Sequence, residues 1–124
     1  LLKNEYGVKE KIADIGVESC FLSEITLAEL LYGIENSAPT RRFQNMERFV
    51  NLRLLFSGRV LSISNALHEY ARQKATLRRI GRPVGDLDIL IGATAISHQL
   101  TLVTRNVRDF QNLEGIQIAN WIDS

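Results

Sequence analysis

Apolar residues recur at helical spacing in five segments, and four short apolar runs lie between or after these segments. The helical spacing predicts helices over residues 8–15, 25–34, 40–56, 65–80 and 87–98. Ser64 is expected to cap the fourth of these helices, whose apolar stripe includes Tyr70 and Lys74, and Gly16 and Gly81 are expected to end the first and the fourth. The apolar runs predict strands at residues 19–22, 60–63, 100–104 and 116–118, the last at a sheet edge. Because helices and strands alternate without hairpin signals, the pattern favours an α/β three-layer fold with a mainly parallel sheet. Ligands bind such sheets beyond the carboxyl ends of the strands.

Two of the predicted helices carry almost no charge, and we expect both to be buried. Each contains one carboxylate, Glu29 in residues 25–34 and Asp88 in residues 87–96. A buried, unpaired carboxylate is costly, so each should be neutralised, ion-paired or bound to a metal. A purely structural role also stays open for each of these two carboxylates. Glu29 has capping-box spacing from Thr26, although Ser23 is the better placed N-cap, and Asp88 suits the positive end of a helix dipole.

Asp86 and Asp109 are further acidic candidates. Asp86 sits where an N-cap residue belongs, so it is a supporting candidate only. Asp109 follows the predicted strand 100–104 by five residues, in the region where an α/β sheet places its chemistry; a surface aspartate is the alternative. Carboxylates at such positions suit a hard cation such as Mg²⁺. The sequence contains no nucleophile elbow, phosphate-binding glycine loop or Cys/His pair, so covalent catalysis and nucleotide binding have no support.

Composition narrows the class of protein. The length of 124 residues favours one domain, and a net charge of +1 neither requires nor excludes nucleic acid. The sequence has no apolar run of about 18 residues and no secretory signal pattern, so we interpret the protein as cytoplasmic and expect no membrane association. Cys20 lies in an apolar run and is expected in the core. The same is expected of Tyr32 and Phe110, the aromatic residues nearest the acids.

Positive charge is concentrated just before the Asp86 and Asp88 turn. Residues 72–82 contain five cations and no acid, namely Arg72, Lys74, Arg78, Arg79 and Arg82. This cluster is either a phosphate-binding surface or a solvated helix face whose cations favour the helix C-terminus. Both interpretations stay open, and we assign RNA contact to Arg78, Arg79 and Arg82 as a hypothesis.

Three segments together resemble the PIN-domain ribonucleases, specifically the VapC-like toxins of bacterial toxin–antitoxin pairs. They are SEITLAELLYG at residues 23–33, GRPVGDLDILIGATA at residues 81–95 and LVTRNVRDF at residues 102–110. The resemblance implies that Glu29, Asp88 and Asp109 are catalytic, metal-binding acids supported by Thr104 and Asn106. It also implies a parallel sheet between helices, Mg²⁺- or Mn²⁺-dependent cleavage of RNA, a cognate antitoxin and a homodimer.

One departure from the family pattern matters. The family begins with an apolar strand that ends in Asp followed by Thr-Asn, and this sequence begins Leu1-Leu2 without such a segment. We therefore expect a single PIN-like domain over residues 1–124, N-terminally truncated, with the first strand and one metal ligand missing.

Three hypotheses follow for the function. The first is a metal-dependent endoribonuclease toxin that hydrolyses RNA phosphodiester bonds. The second is a noncatalytic PIN-fold binding module that dimerises or binds an antitoxin and is inactive for lack of the first Asp. The third is a plain structural domain whose isolated acids are helix caps.

Overall fold

The computed structural model describes residues 8–120. The helices of this part of the chain are α1 (Val8–Ile15), α2 (Glu24–Glu35), α3 (Pro39–Leu55), α4 (Leu67–Arg79), α5 (Asp86–Ser97) and α6 (Val107–Phe110). Single 3₁₀ turns lie at Val17–Ser19 and Ser64–Ala66. The strands are β1 (Leu22–Ser23), β2 (Val60–Leu61), β3 (Leu102–Val103) and β4 (Ile118–Ala119). The five predicted long helices are confirmed to within about two residues at either end, the precision with which helix ends are defined.

The strands form two parallel pairs rather than one continuous sheet within residues 8–120. In the first pair Leu22 of β1 lies opposite Val60 of β2, and in the second Leu102 of β3 lies opposite Ile118 of β4. The predicted parallel pairing is confirmed, whereas the described residues do not supply a single sheet. The α/β PIN-like architecture is consistent with these pairs and their flanking helices.

Each strand pair has its own hydrophobic core. The first core packs α2 and α3 against β1 and includes Cys20, whose predicted burial is confirmed, and the fully buried Phe56. The second core packs α4, α5 and α6 together through Leu77, Ile89, Phe110 and Leu113. Helix α5 packs against α2 as well as against α4 and α6, so it connects the two halves of the molecule.

Several local predictions were wrong. Strand β1 is shifted toward the C-terminus because residues 17–19 form a 3₁₀ turn that ends at Cys20. Ser64 does not cap α4: it begins a 3₁₀ turn, and Ala66 precedes the helix without a side-chain cap. The predicted stops after α1 and α4 are confirmed, since Gly16 and Gly81 adopt positive φ angles of 97° and 69° that favour glycine.

Helix α2 is half-exposed, which corrects the expectation that it is buried all round. It buries Thr26, Leu27 and Ile34 and leaves Leu31 and Tyr32 facing solvent, Tyr32 at 70% exposure. The expected core position of Tyr32 is therefore wrong, whereas that of Phe110 is confirmed at 5% exposure. None of the helices in residues 8–120 is long and apolar enough to cross a membrane.

Phe56 and Phe43 give a matched test of the first core. Phe56 is fully buried, whereas Phe43 is 79% exposed on α3. Replacing Phe56 by Ala leaves a cavity, so we expect the free energy of unfolding to fall by about 3–5 kcal/mol. Phe43→Ala should change it by less than about 0.5 kcal/mol because little is buried there. Urea unfolding measures both, and equal losses for the two variants would contradict this packing.

Candidate functional site

Ser23 determines where α2 begins and therefore where Glu29 lies. The Ser23 Oγ accepts a hydrogen bond from the Ile25 N–H at 3.1 Å, as an N-cap does. The Glu24 Oε1 accepts a further bond at 2.7 Å from the Ile63 N–H, which fixes the start of the helix to the segment after β2. Since the helix starts at Glu24, the capping-box explanation of Glu29 is wrong. Glu29 is an exposed residue on the second turn rather than a buried one.

Asp88 lies in the first turn of α5. The helix begins at Asp86 after the N-cap Gly85, which makes no side-chain cap, so the N-cap alternative for Asp86 is wrong. Asp88 is half-buried and precedes Ile89, which is 1% exposed. The core contact of Ile89 therefore fixes the backbone that carries the Asp88 carboxylate.

Asp109 is held by a hydrogen-bonded turn after β3. The Thr104 Oγ1 accepts from the Asn106 N–H at 3.0 Å, and the Asn106 carbonyl accepts from the Asp109 N–H at 3.0 Å. The neighbouring Phe110 is buried against α5 and α4. The two predicted supporting residues, Thr104 and Asn106, thus shape the backbone turn that carries Asp109.

The three predicted acids are electrostatically linked in series. Loss of part of the hydration of its carboxylate, and then the charge of Asp88, raises the pKa of Glu29 above its usual value. Partial burial, and then the charge of Asp109, raises the pKa of Asp88. None of the three pairs with a cation of residues 8–120. The structure therefore gathers uncompensated negative charge around Asp88.

The donor chemistry of this cluster fits a hard divalent cation. Carboxylate oxygens are the ligands that Mg²⁺ and Mn²⁺ prefer, and nearby positive charge would relieve the repulsion that raises these pKa values. Among the described residues, however, no three His, Cys, Asp or Glu side chains approach closely enough to surround a single ion. By themselves the described acids therefore do not surround one ion, and Asp88 is the acid linked to both of the others.

A cavity of about 230 Å³ lies between the two strand pairs, and we call it the inter-sheet slot. Residues from β1 and β3 line its walls, including Leu22, Ser23, Leu102 and Val103. Glu29, Asp88, Thr104 and Asn106 also line it. The slot therefore extends from the two strand pairs to Glu29 and Asp88 of the acidic cluster. A second, polar cavity contains Asp109 and shares Asn106 with the slot; its other lining residues include Arg105 and Arg108.

Asp86 makes contacts that differ from those of the three other acids. Its Oδ1 accepts from the Tyr70 hydroxyl at 3.0 Å and pairs with the Lys74 Nζ at 2.8 Å. The hydrogen bond from Lys74, and then that from Tyr70, lowers the pKa of Asp86. Asp86 thus joins α5 to α4. Helical spacing predicts Tyr70 and Lys74 on one stripe, but their partner Asp86 lies 12 residues beyond Lys74, so local spacing gives no signal of this contact.

The basic cluster of residues 72–82 is partly neutralised within the fold. Arg72 pairs with Glu69 at 2.6 Å, and Lys74 pairs with Asp86. Arg78, Arg79 and Arg82 are exposed and form no ion pair with a described acid. Of the predicted cluster, these three are the cations that the fold leaves for a phosphate backbone.

Comparison with known proteins identifies the class to which this fold belongs. Residues 3–116 match the family described as PIN domain. The chain belongs to the PIN-domain family. Within this family it is similar to the VapC proteins.

Individual proteins and solved structures are similar to this chain over most of its length. The tRNA(fMet)-specific endonuclease VapC of Salmonella typhimurium is 40% identical over 101 residues, which cover 81% of this chain and 74% of that protein. Among solved structures, DNA-bound VapBC from Salmonella typhimurium aligns with a TM-score of 0.85 and 31% identity, covering 97% of this chain and 89% of that one. VapBC-5 from Mycobacterium tuberculosis, described as a member of a family of toxin–antitoxin systems, aligns with a TM-score of 0.68 and 27% identity over 81% and 80% of the two chains.

The repulsion around Asp88 predicts that removing the charge of this residue stabilises the fold, and that the gain in stability depends on pH. A carboxylate whose pKa is raised by folding binds protons more readily when folded, so stability falls as pH rises through the interval between its unfolded and folded pKa values. Asp88→Asn removes this destabilising charge. In the presence of a chelator, we expect the variant to have a higher urea midpoint than the parent at neutral pH. Near pH 3, where Asp88 is protonated in the parent, the two midpoints should be equal.

Asp14→Asn is the control, because Asp14 is an exposed aspartate on α1. It should show no comparable gain at neutral pH. An Asp88→Asn variant that is less stable than the parent at neutral pH without metal would contradict the electrostatic account.

Proposed function

We propose that this chain is a metal-dependent endoribonuclease and the toxin of a toxin–antitoxin pair, acting in the cytoplasm. The observation that carries the proposal is the series Glu29, Asp88 and Asp109, whose charges are uncompensated beside the inter-sheet slot. Relatives named as tRNA-specific endonucleases at 40% and 38% identity support it.

The three acids would act first as metal ligands. A bound Mg²⁺ or Mn²⁺ supplies a more acidic water and stabilises the charge of the phosphate in the transition state. Asp88 is electrostatically linked to both other acids, so it is the ligand best placed to be shared. A carboxylate that does not bind the metal directly can accept the water proton, and the raised pKa of Glu29 favours that role.

RNA would be held by cations on two sides of the acids. Arg105 and Arg108 flank Asn106 and Asp109 around the polar cavity. The exposed Arg78, Arg79 and Arg82 extend the positive surface at the end of α4 and in the following segment. Contacts of this kind bind phosphates without reading the base sequence, so the proposal does not specify an RNA target.

An antitoxin would cover the apolar surface that α2 and α3 leave exposed. On α3, Phe43, Met46, Val50 and Leu54 follow one another at helical spacing, and all four are exposed. Tyr32 of the neighbouring α2 is also exposed. A helical segment with an apolar face suits such a surface. The structural neighbours named VapBC support a partner of this kind, and homodimer formation is a further part of the proposal.

The inter-sheet slot is proposed to accept an additional strand. The Leu22 N–H points to β2, where it bonds the Arg59 carbonyl, and the Leu102 and Thr104 N–H groups bond the β4 side. Because successive peptide groups in a strand point to opposite edges, Val103 directs its peptide groups away from β4, toward the slot. A strand placed there would join the two pairs, and an acid at its end would supply the ligand that the cluster lacks.

Cleavage of RNA tests the nuclease proposal. We expect the chain to cut RNA in Mg²⁺ or Mn²⁺ and not in a chelator. Asp88→Asn should lower the rate by about 100-fold or more, the scale of losing a group that stabilises the transition state. Asp14→Asn should leave the rate unchanged, which excludes an effect of net charge. Cleavage that survives Asp88→Asn undiminished would refute the role of Asp88.

Adding a strand tests whether the slot accepts one. We compare the chain with a version preceded by an apolar strand that ends in Asp, and with a second version in which that Asp is Asn. Both additions should raise the urea midpoint, because both fill the slot with a strand, but only the Asp form should increase cleavage. If neither addition changes the midpoint, the slot does not accept a strand.

A noncatalytic binding module is the second candidate function. It is favoured by one specific observation, the failure of the described acids to surround one ion. The two candidates differ in outcome: a chain that binds an antitoxin but shows no cleavage with or without the added strand is such a module.

A further inference from the structure

Gln73 is an almost completely buried polar residue of α4 that the proposed chemistry does not use. It is 1% exposed. Its Oε1 accepts from the Glu114 N–H at 2.9 Å, and its Nε2 donates to the Glu114 carbonyl at 2.7 Å. The Nε2 also donates to the Glu69 carboxylate at 2.7 Å. One side chain therefore holds both backbone polar groups of a residue that lies 41 positions later in the chain.

Only an amide can make this set of bonds. The Glu114 N–H requires an acceptor and the Glu114 carbonyl requires a donor, which determines the orientation of the Gln73 amide. A carboxylate at this position would face the Glu114 carbonyl and the Glu69 carboxylate without a proton to donate. An apolar side chain would remove both bonds to the Glu114 backbone and the bond to Glu69, and the loss of such bonds is costly.

The Gln73 amide holds the turn that follows α6. Asp109 belongs to α6, and Glu114 lies five residues further on. Between them, Phe110 and Leu113 are buried in the second core against Ile89, the residue next to Asp88. Leu113 also lies so close to Gly92 of α5 that a Cβ at Gly92 would collide with it. The polar bonds of Gln73 and these apolar contacts together fix α6 against α5.

We propose that Gln73 is a positioning residue of the acidic site: its amide fixes the turn after α6 and thereby keeps Asp109 beside Asp88. This inference rests on the proposed function, in which the two acids bind one metal centre. Gln73 touches neither acid, so its effect passes through residues 109–114. The loss of an outer residue that orients metal ligands lowers metal affinity by about 10-fold to 100-fold.

Titration of the full chain with Mn²⁺, followed by calorimetry, tests the inference. Gln73→Met keeps the length and apolar volume but removes the amide, and we expect Mn²⁺ affinity to fall by about 10-fold or more. The control is Phe56→Leu, which destabilises the first core, away from α6, and should bind Mn²⁺ as the parent does. Gln73→Glu is a second variant of nearly identical shape that should show the same loss, so the test does not depend on one variant folding.

A double-mutant cycle separates positioning from general destabilisation. If Gln73 acts through Asp109, adding Gln73→Met to Asp109→Asn should cause little further loss of Mn²⁺ affinity. Additive losses, or normal affinity in the Gln73 variants, would overturn the inference.

A parent chain that binds no Mn²⁺ would instead contradict the proposed function. Hydrogen exchange at the Asp109 amide then decides the role of Gln73 without metal. Faster exchange in Gln73→Met than in Phe56→Leu supports positioning, and equal exchange overturns it.

Discussion

Repulsion between carboxylates is the constraint on which this site depends. Asp88 is half-buried, and the charge of Asp109 contributes to raising its pKa. The charge of Asp88 in turn contributes to raising the pKa of Glu29. Such an arrangement costs free energy in the absence of a cation, so the acids cannot hold themselves together. The core does this instead: Ile89 follows Asp88, Phe110 follows Asp109, and both are buried in one cluster. Asp88 and Asp109 thus each lie next to an apolar residue whose burial offsets the repulsion.

The sequence predicted those parts of the molecule that depend on local interactions. The cap at Ser23, the glycine stops and the extents of the long helices follow from side chains within a few residues of each helix end. Glu29 and Asp88 could be singled out because each is the one charge in an apolar helical segment, and Asp109 because it follows a predicted strand. Their electrostatic proximity could be expected only from the resemblance, since α2, α5 and α6 meet through contacts between distant parts of the chain.

The sequence did not predict features that depend on what a residue contacts elsewhere in the fold. Tyr32 was expected in the core because its helix is apolar, yet periodicity cannot distinguish a face buried by this chain from one that remains exposed. The strands are two residues long in each pair, so their ends are determined by pairing rather than by β propensity. Gln73 gave no signal, since a glutamine within a charged helix is typical of a solvated position.

Helix α4 makes one exposed and one buried set of polar contacts to the segments that carry the acids. On its exposed side, Lys74 pairs with Asp86 at the start of α5, where solvent screening leaves such a pair little free energy. On its buried side, Gln73 is 1% exposed and bonds both backbone groups of Glu114, and the loss of such a buried partner is costly. The two contacts tie one helix to the segments that carry Asp88 and Asp109. Because the buried contact is the stronger constraint, the position of α6 depends on Gln73 more than the position of α5 depends on Lys74.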